Sequence, residues 1–261
     1  MGLQGYEKSI IFNSNLVIDE ELSSMHDYLL FIDTETTGLP IDWSAPYSDT
    51  RKWPSALQVA WIVCSWEGNE LKRENYYVRD GKVAIEPKSE KIHRLNAAFL
   101  QNNGKTQSWV MSRLADDLNK YQPLIIGHFV ELDYHVLGAD FHRCSISNPL
   151  KGLPLFCTML ASAKYIKKPW IKYLRLSELY TELFQEKLEG SHNAAVDVAA
   201  TVRSFFEMQK RGDITEETID RQQKQLDRRA QFLRWEAKYK QIGLFLLMLF
   251  VFLIFYLLLI K

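Results

Sequence analysis

The chain has 261 residues, of which 47% are hydrophobic and 25% charged, and its formal net charge is zero. This length is enough for one well-buried domain with appendages. The three cysteines, an odd number in or beside apolar segments, favour a reducing compartment and argue against a disulfide framework. The surplus of basic residues lies in residues 214–261, so residues 1–213 are mildly acidic. A mildly acidic domain argues against tight, sequence-independent binding of duplex nucleic acid.

The first strong signal is an apolar run at residues 28–32, which predicts a buried strand that ends at Asp33. Glu35 follows two positions later, and residues 36–40 turn the chain away. Because side chains alternate along a strand, Asp33 and Glu35 project to the same side and could share a metal ion. Taken alone, the pair is also compatible with two solvated residues at the end of a strand.

Further strands are predicted at 56–64 and 70–79, joined by a hairpin across residues 67–69. A helix at 107–120 precedes a short apolar strand at 124–127, and a helix at 132–143 precedes another strand at 154–157. Asp133 lies in the first turn of the predicted helix 132–143. A carboxylate is favoured there by the helix dipole, so Asp133 alone does not indicate a function.

Three more helices are predicted, at 158–166, 176–184 and 194–210. His192 lies in the loop before the last of them, and Asp197 lies one turn inside it. Gathering four carboxylates from separate segments is costly unless a metal neutralises them. Two divalent ions about 3.5–4 Å apart, with a histidine as base for the attacking water, are suited to hydrolysis of a phosphodiester. The pattern therefore predicts a metal-dependent nuclease.

Residues 33–39 and 192–197 resemble the first and last motifs of the DEDDh 3′-to-5′ exonucleases, which include the proofreading subunit of bacterial replicative polymerase. The resemblance covers residues 27–211. It implies an α/β fold of the RNase H-like type, with a mixed five-stranded sheet flanked by helices. It also implies that two Mg²⁺ (or Mn²⁺) ions are held by four ligands and that His192 is the general base. The implied metal ligands, which are also catalytic residues, are Asp33, Glu35, Asp133 and Asp197.

The second motif departs from the family pattern, because Phe129 stands where an Asn is usual and Leu132 where a Phe is usual. The apolar swap at Leu132 should cost little. Phe129 removes an amide that could position substrate, although its ring could stack on a base instead. The effect of this replacement on the terminal nucleotide is left open.

Candidate substrate contacts come from three parts of the chain. A basic segment at residues 164–175 interleaves cationic and aromatic side chains, the usual composition for contact with a single strand. The alternative is a solvated loop with its aromatic residues turned inward. An aromatic loop at residues 41–55 could form one wall of the cleft. The tentative substrate-binding residues are Thr36, Phe129, His93, Lys167, Lys168 and Trp170.

The C-terminal part divides into a charged helical linker at 214–242 and an apolar segment at 243–260, after an N-terminal extension at 1–26 and the exonuclease domain at 27–213. As a helix, the apolar segment would be about 27 Å long, which predicts a single transmembrane helix. Basic residues before it place the catalytic domain on the cytoplasmic side of the lipid bilayer. Ile219, Leu226 and Leu233 recur every seven residues, which leaves a weak homodimer through the linker open.

Together these features predict a membrane-tethered, metal-dependent 3′-to-5′ exonuclease that releases nucleoside 5′-monophosphates. The expected partner is a single-stranded 3′ end, with DNA favoured over RNA, although that choice depends on pocket geometry that the sequence does not give. The alternative is a catalytically idle exonuclease fold that binds nucleic acid or protein at the membrane. A proofreading subunit of a polymerase is a third interpretation, which the membrane anchor disfavours.

Overall fold

The computed structural model describes residues 26–79 and 84–225, together with Arg228 and Tyr239. The strands are β1 (Tyr28–Thr36), β2 (Ala56–Ser65), β3 (Glu70–Arg79), β4 (Lys105–Thr106), β5 (Leu124–Gly127) and β6 (Leu155–Cys157). The helices are α1 (Pro87–His93), α2 (Ala97–Asn103), α3 (Gln107–Tyr121), α4 (Val130–Arg143), α5 (Thr158–Ala161), α6 (Leu176–Phe184) and α7 (Ala194–Lys210). A 3₁₀ turn follows α5 at Ser162–Tyr165.

The strands form one mixed sheet in the order β4-β3-β2-β1-β5-β6. The strand β2 pairs antiparallel with both β1 and β3, whereas β5 is parallel to β1 and to β6. The mixed α/β class is confirmed, but the predicted number of five strands is wrong. The sixth strand, β4, has two residues and pairs with the end of β3, so it is too short to leave a periodic signal in the sequence.

Helices cover both faces of the sheet, and β1 supplies apolar side chains to both sides. Leu30 and Ile32 belong to the core beneath α3 and α4, while Leu29 and Phe31 belong to the core beneath α6 and α7. This alternation is the pleat of a strand that is buried on both faces, which explains why the run at 28–32 contains no polar residue. The two cores hold β1 rigidly at the centre of the sheet.

Several predicted boundaries are corrected by the structure. The strand β1 does not end at Asp33 but continues through Glu35 to Thr36, so both carboxylates lie within the strand. The helix α4 begins at Val130, two residues earlier than predicted. The predicted helix 158–166 is one α-helical turn followed by a 3₁₀ turn. The short helices α1 and α2 were not predicted, because neither is long enough to show an apolar stripe.

The packed part of the chain extends beyond the predicted domain boundary at residue 213. Ile214 and Ile219 are buried in the core beneath α6 and α7, and residues 216–225 are helical. The side chain of Gln222 pairs with both backbone groups of Cys157 on β6, at 2.9 and 3.0 Å. Ile219 therefore lies in the core of this domain and does not offer its side chain to a dimer seam.

The remaining C-terminal predictions lie mostly outside the described residues. These are the linker beyond Gln225, apart from two isolated positions, and the whole apolar segment 243–260. The N-terminal extension 1–25 also lies outside them. Among the residues that the structure describes, no helix combines the length and apolarity needed to cross a bilayer.

Candidate active site

The site is built around two acidic side chains of β1. In the antiparallel pairing with β2, Asp33 lies opposite Ala60 and Glu35 opposite Gln58. Residues two apart on a strand share a face, so both carboxylates project to one side of the sheet. One oxygen each from Asp33, Glu35 and Asp197 lie within 4.8 Å of one another. The structure thus brings the first and last predicted motifs together.

Asp197 comes from the first turn of α7. This helix begins after Asn193, whose side chain accepts a hydrogen bond from the amide of Ala195 and so fixes the first turn. The backbone amide of His192 donates to Oδ2 of Asp197 at 2.9 Å. The other oxygen, Oδ1, is buried and has no hydrogen-bond partner among the described groups. A buried, unpaired carboxylate oxygen aimed into an acidic cluster fits a metal ligand.

Asp133 enters the site from the first turn of α4, but it is held differently. Its Oδ1 accepts a hydrogen bond of 2.7 Å from the hydroxyl of Thr34, the residue between the two β1 carboxylates. Asp133 is not one of the three residues whose oxygens converge within 4.8 Å. Its charge nevertheless contributes to raising the pKa values of Asp33 and Glu35, so it belongs to the same electrostatic cluster.

The negative charge of the acidic cluster is not balanced by a basic side chain of the described residues. Burial, followed by repulsion from Asp197 and Asp133, raises the pKa of Glu35 to about 8. Burial and the three neighbouring carboxylates raise the pKa of Asp33 well above its usual range. None of the ion pairs in the described part of the chain involves these four acids. A divalent cation bound among them would favour the ionised forms, and oxygen ligands are what Mg²⁺ and Mn²⁺ prefer.

His192 lies in the left-handed region of backbone space, at φ 67°, and its side chain is exposed at the edge of the cluster. Its backbone amide contacts Asp197, so its ring is left available for solvent or substrate. His93, at the end of α1, is buried near it. Burial lowers the pKa of His93, with a smaller lowering from His192, while a bond with the Thr36 backbone opposes the shift. These interactions place His93 beside both residues.

Gln58 is a site residue that the sequence signal did not single out as functional. It is completely buried on β2. Its amide nitrogen donates to the side chain of Asn193 at 3.1 Å, and its oxygen accepts from the amide of Ala194 at 3.2 Å. Gln58 therefore anchors the start of α7, which carries Asp197. A buried amide within an otherwise apolar strand is the signal that could have identified it.

The other predicted substrate residues are placed unequally. The hydroxyl of Thr36 donates to the carbonyl of Gly38 at 2.7 Å. Phe129 lies immediately before α4 with φ 73°, and Asp133 follows it by one helical turn. Both residues are therefore close in the chain to the carboxylates, but Thr36 uses its hydroxyl within its own turn.

Within the described part of the chain, no hydrogen bond or ion pair joins the basic segment 164–175 to the acidic cluster. Lys167 pairs with Glu182 of α6, while Lys168 and Trp170 are exposed, the latter to 78%. The described contacts of these three residues do not reach the four carboxylates. The segment is attached near the site by His128, the residue before Phe129, whose Nε2 donates to the carbonyl of Leu174 at 2.9 Å.

The domain is a mixed α/β fold in which two carboxylates of strand β1 converge with Asp197 of α7. The RNase T exonuclease family matches residues 30–205, and the chain belongs to this exonuclease family. None of the curated proteins matches the chain.

Solved structures of exonuclease I share the fold. A zinc-bound complex of Escherichia coli exonuclease I with single-stranded DNA is 18% identical, with a TM-score of 0.58, and covers 71% of this chain and 41% of that one. The complex of the same enzyme with a dA16 oligonucleotide is 17% identical, with a TM-score of 0.58 and the same coverage. The chain thus spans about two fifths of the length of the solved chains that it resembles. At these identities the likeness concerns the fold alone.

Proposed function

We propose that this protein is a metal-dependent 3′-to-5′ exonuclease that releases nucleoside 5′-monophosphates. The observation that carries the proposal is the convergence of Asp33, Glu35 and Asp197 within 4.8 Å, beside Asp133 and with no cation of the described chain among them. Such a cluster is unfavourable in a protein that uses it only for structure. The membership in an exonuclease family supports the same interpretation.

Asp33, Glu35 and Asp197 are the residues that would hold Mg²⁺ or Mn²⁺, and Asp133 would complete the set for a second ion. Bound divalent ions supply positive charge for the phosphate and for the negative charge that develops during hydrolysis. The protein contributes the fixed geometry. Thr34 orients Asp133 and the His192 amide orients Asp197, so the ligands need little rearrangement.

His192 accepts the proton of the attacking water. Its imidazole is exposed at the mouth of the cluster, which gives it access to a water molecule beside the scissile phosphate. Only the neutral imidazole can accept this proton. The water oxygen bonds to phosphorus as the bond to the 3′ oxygen breaks on the opposite side. The departing 3′ oxygen takes up a proton from solvent, and His192 releases its own proton to solvent.

The proposed substrate is a single-stranded 3′ end, with DNA favoured over RNA. The solved exonuclease I complexes that share the fold contain single-stranded DNA oligonucleotides, which supports this choice of substrate class. A catalytically idle binding module is the alternative. It is disfavoured because Asp33, Glu35, Asp133, His192 and Asp197 are all present, whereas loss of one ligand would be enough to abolish turnover.

The experiment uses the full-length protein with single-stranded DNA and RNA of one sequence, labelled at the 5′ end. In Mg²⁺ or Mn²⁺ the labelled DNA should shorten stepwise and release nucleoside 5′-monophosphates, and excess chelator should stop the reaction. Asp33→Asn is the matched control for a contaminating nuclease. Loss of the 5′ label as the first product, or full activity in chelator, would contradict the proposal. Binding without any cleavage would support the idle module instead.

We also propose that residues 243–260 tether the enzyme to a membrane, with the catalytic domain on the cytoplasmic side. The support is the uninterrupted apolar sequence and the basic residues that precede it. The full-length protein should stay with the membrane fraction through a carbonate wash. A variant without residues 243–261 should be released from the membrane and keep its nuclease activity. A full-length protein that washes off would contradict the tether. A weak homodimer through the linker would be detected by sedimentation of the full-length protein and of the variant without residues 243–261.

A further inference from the structure

The aromatic loop, residues 41–55, is held in place by one arginine of α4. The guanidinium of Arg143 donates to the carbonyls of Thr50, Trp53 and Pro54, at 2.9, 2.6 and 2.8 Å. Its side chain is only 11% exposed and pairs with the fully buried Asp140. Three hydrogen bonds from one rigid, planar group fix the course of the backbone. The loop is therefore preorganised.

The inner rings of this loop are locked onto the same helix. The ring of Trp53 stacks on that of His135, with centroids 5.2 Å apart and an interplanar angle of 18°. The hydroxyl of Tyr47 is 2.9 Å from Nδ1 of His135. Trp53 is 2% exposed, and Tyr47 and His135 are partly buried, so these rings form the base of the loop. The ring of Trp53 offers no surface to a ligand.

Trp43 differs from these rings because it remains 41% exposed. Its ring is 6.3 Å from that of Trp53 and 6.0 Å from that of Phe129, so it lies on the locked base and beside the start of α4. Phe129 precedes Asp133 by one helical turn, and the loop follows directly on the β1 carboxylates. An exposed indole that packs on other rings thus lies beside the residue that precedes α4, the helix whose first turn carries Asp133. Exposed aromatic rings beside a phosphodiester site are suited to stacking on nucleobases.

We propose that Trp43 and Phe129 form a stacking surface for a base near the 3′ end of the substrate, and that Arg143 is the positioning residue that holds Trp43 there. This inference rests on the proposed nuclease function. Every base has a π face, so the surface selects an unpaired end and discriminates little between sequences.

The test compares two single-stranded DNA oligonucleotides, one normal and one whose last two nucleotides lack their bases. Trp43→Ala should raise KM for the normal substrate by about 5- to 150-fold, the range expected when one stacking ring is lost. For the oligonucleotide with the base-free end, Trp43→Ala should raise KM no more than the control variant does. Trp109→Ala is the matched control, because Trp109 is also 41% exposed but packs on Tyr76 of β3. If Trp43→Ala raised KM equally for the two oligonucleotides, the stacking proposal would be wrong.

Arg143 is tested through its dependence on Trp43. Arg143→Lys keeps a cation beside Asp140 but cannot donate to all three loop carbonyls. It should raise KM, leave kcat within about twofold of the wild type, and have no further effect when combined with Trp43→Ala. If the effects of the two substitutions on KM were additive in the double variant, Arg143 would not act by positioning Trp43. If the wild type shortens neither oligonucleotide, the proposed function itself fails, and that result is distinct from equal losses in an active enzyme.

Discussion

The helix α4 carries two buried aspartates, Asp133 and Asp140, two turns apart, and they are treated in opposite ways. Asp140 is fully buried and accepts hydrogen bonds from Arg143, from the hydroxyl of Ser55 and from the amide of Ala56. Asp133 is 4% exposed, and the side chain that donates to it is the neutral hydroxyl of Thr34. Its other neighbours include the carboxylate of Asp33.

The difference separates an acid that supports the fold from one that is available for chemistry. Burial raises the pKa of both, to about 6 for Asp140 and about 7 for Asp133. At Asp140 the guanidinium of Arg143 opposes the shift, whereas at Asp133 only hydrogen bonds from Thr34 and the helix backbone oppose it. Burial alone therefore does not distinguish the two sites. The identity of the partner does, because Asp140 faces a guanidinium of the chain whereas Asp133 lies among other carboxylates.

The largest expected effect comes from replacing each aspartate by asparagine. Asp133→Asn should lower turnover by roughly 10³-fold or more, because the charge that helps to bind metal is lost, and should leave stability unchanged or slightly higher. Asp140→Asn should keep kcat but lower the free energy of unfolding by about 3 kcal/mol, since Arg143 loses its buried partner. Single-turnover rates and urea unfolding measure the two effects. Normal turnover by Asp133→Asn would limit the metal ligands to Asp33, Glu35 and Asp197.

The second prediction concerns His192, which contributes to the cluster through its backbone amide and to chemistry through its ring. His192→Asn should lower kcat by about 10²–10⁴-fold. It should not weaken metal binding, because the hydrogen bond from the backbone amide of residue 192 to Asp197 is kept. Asn is chosen over Ala because it tolerates the left-handed backbone at φ 67°. Calorimetric titration with Mn²⁺ serves as the control. A variant that hydrolyses DNA at the normal rate would reduce His192 to a structural residue.

The acidic cluster could be predicted from the sequence, and the acid that supports the fold could not. The residues at 33–39 and 192–197 are local patterns, and the strands that carry them are continuous apolar runs. Ser55 and Ala56, which donate to Asp140, lie 85 and 84 residues away, and Arg143 reaches carbonyls 89 to 93 residues away. Carbonyl groups are the same in every residue, so no side-chain pattern announces such contacts. Gln58 was missed for the same reason. The aromatic loop at 41–55 was proposed as a wall of the cleft, but its attachment to Arg143 was not predicted.

Histidine shows a further way to bury a titratable group, which is to lose the charge. His128 donates from Nε2 to the carbonyl of Leu174, and burial lowers its pKa to about 4. Because the pKa in the folded state is below the unfolded value of about 6.5, folding excludes the proton. Its contribution is complete above pH 6.5 and is lost as the pH falls towards 4. The wild type should lose about 3 kcal/mol of stability from this group across that window.

His128→Gln isolates this contribution, because glutamine does not titrate and all other groups are shared with the wild type. The difference in unfolding free energy between the two proteins should change by about 3 kcal/mol between pH 7.5 and pH 4. Chemical denaturation at a series of pH values measures it. A difference that stays constant with pH would show that His128 is solvated in the native state.

The smallest expected effect on the free energy of unfolding is at the edge strand β6, which is held by the neutral side-chain amide of Gln222. The side chain of Gln222 donates to the carbonyl of Cys157 and accepts from its amide, as a neighbouring strand would. Gln222→Glu keeps the acceptor but loses the donor, so it should lower the unfolding free energy by about 1–2 kcal/mol. Lys224→Ala, an exposed change on the same helix, is the control. If both variants unfold like the wild type, the 216–225 helix is not held to β6 in solution, and the packed domain ends nearer the boundary at residue 213 that the sequence predicts.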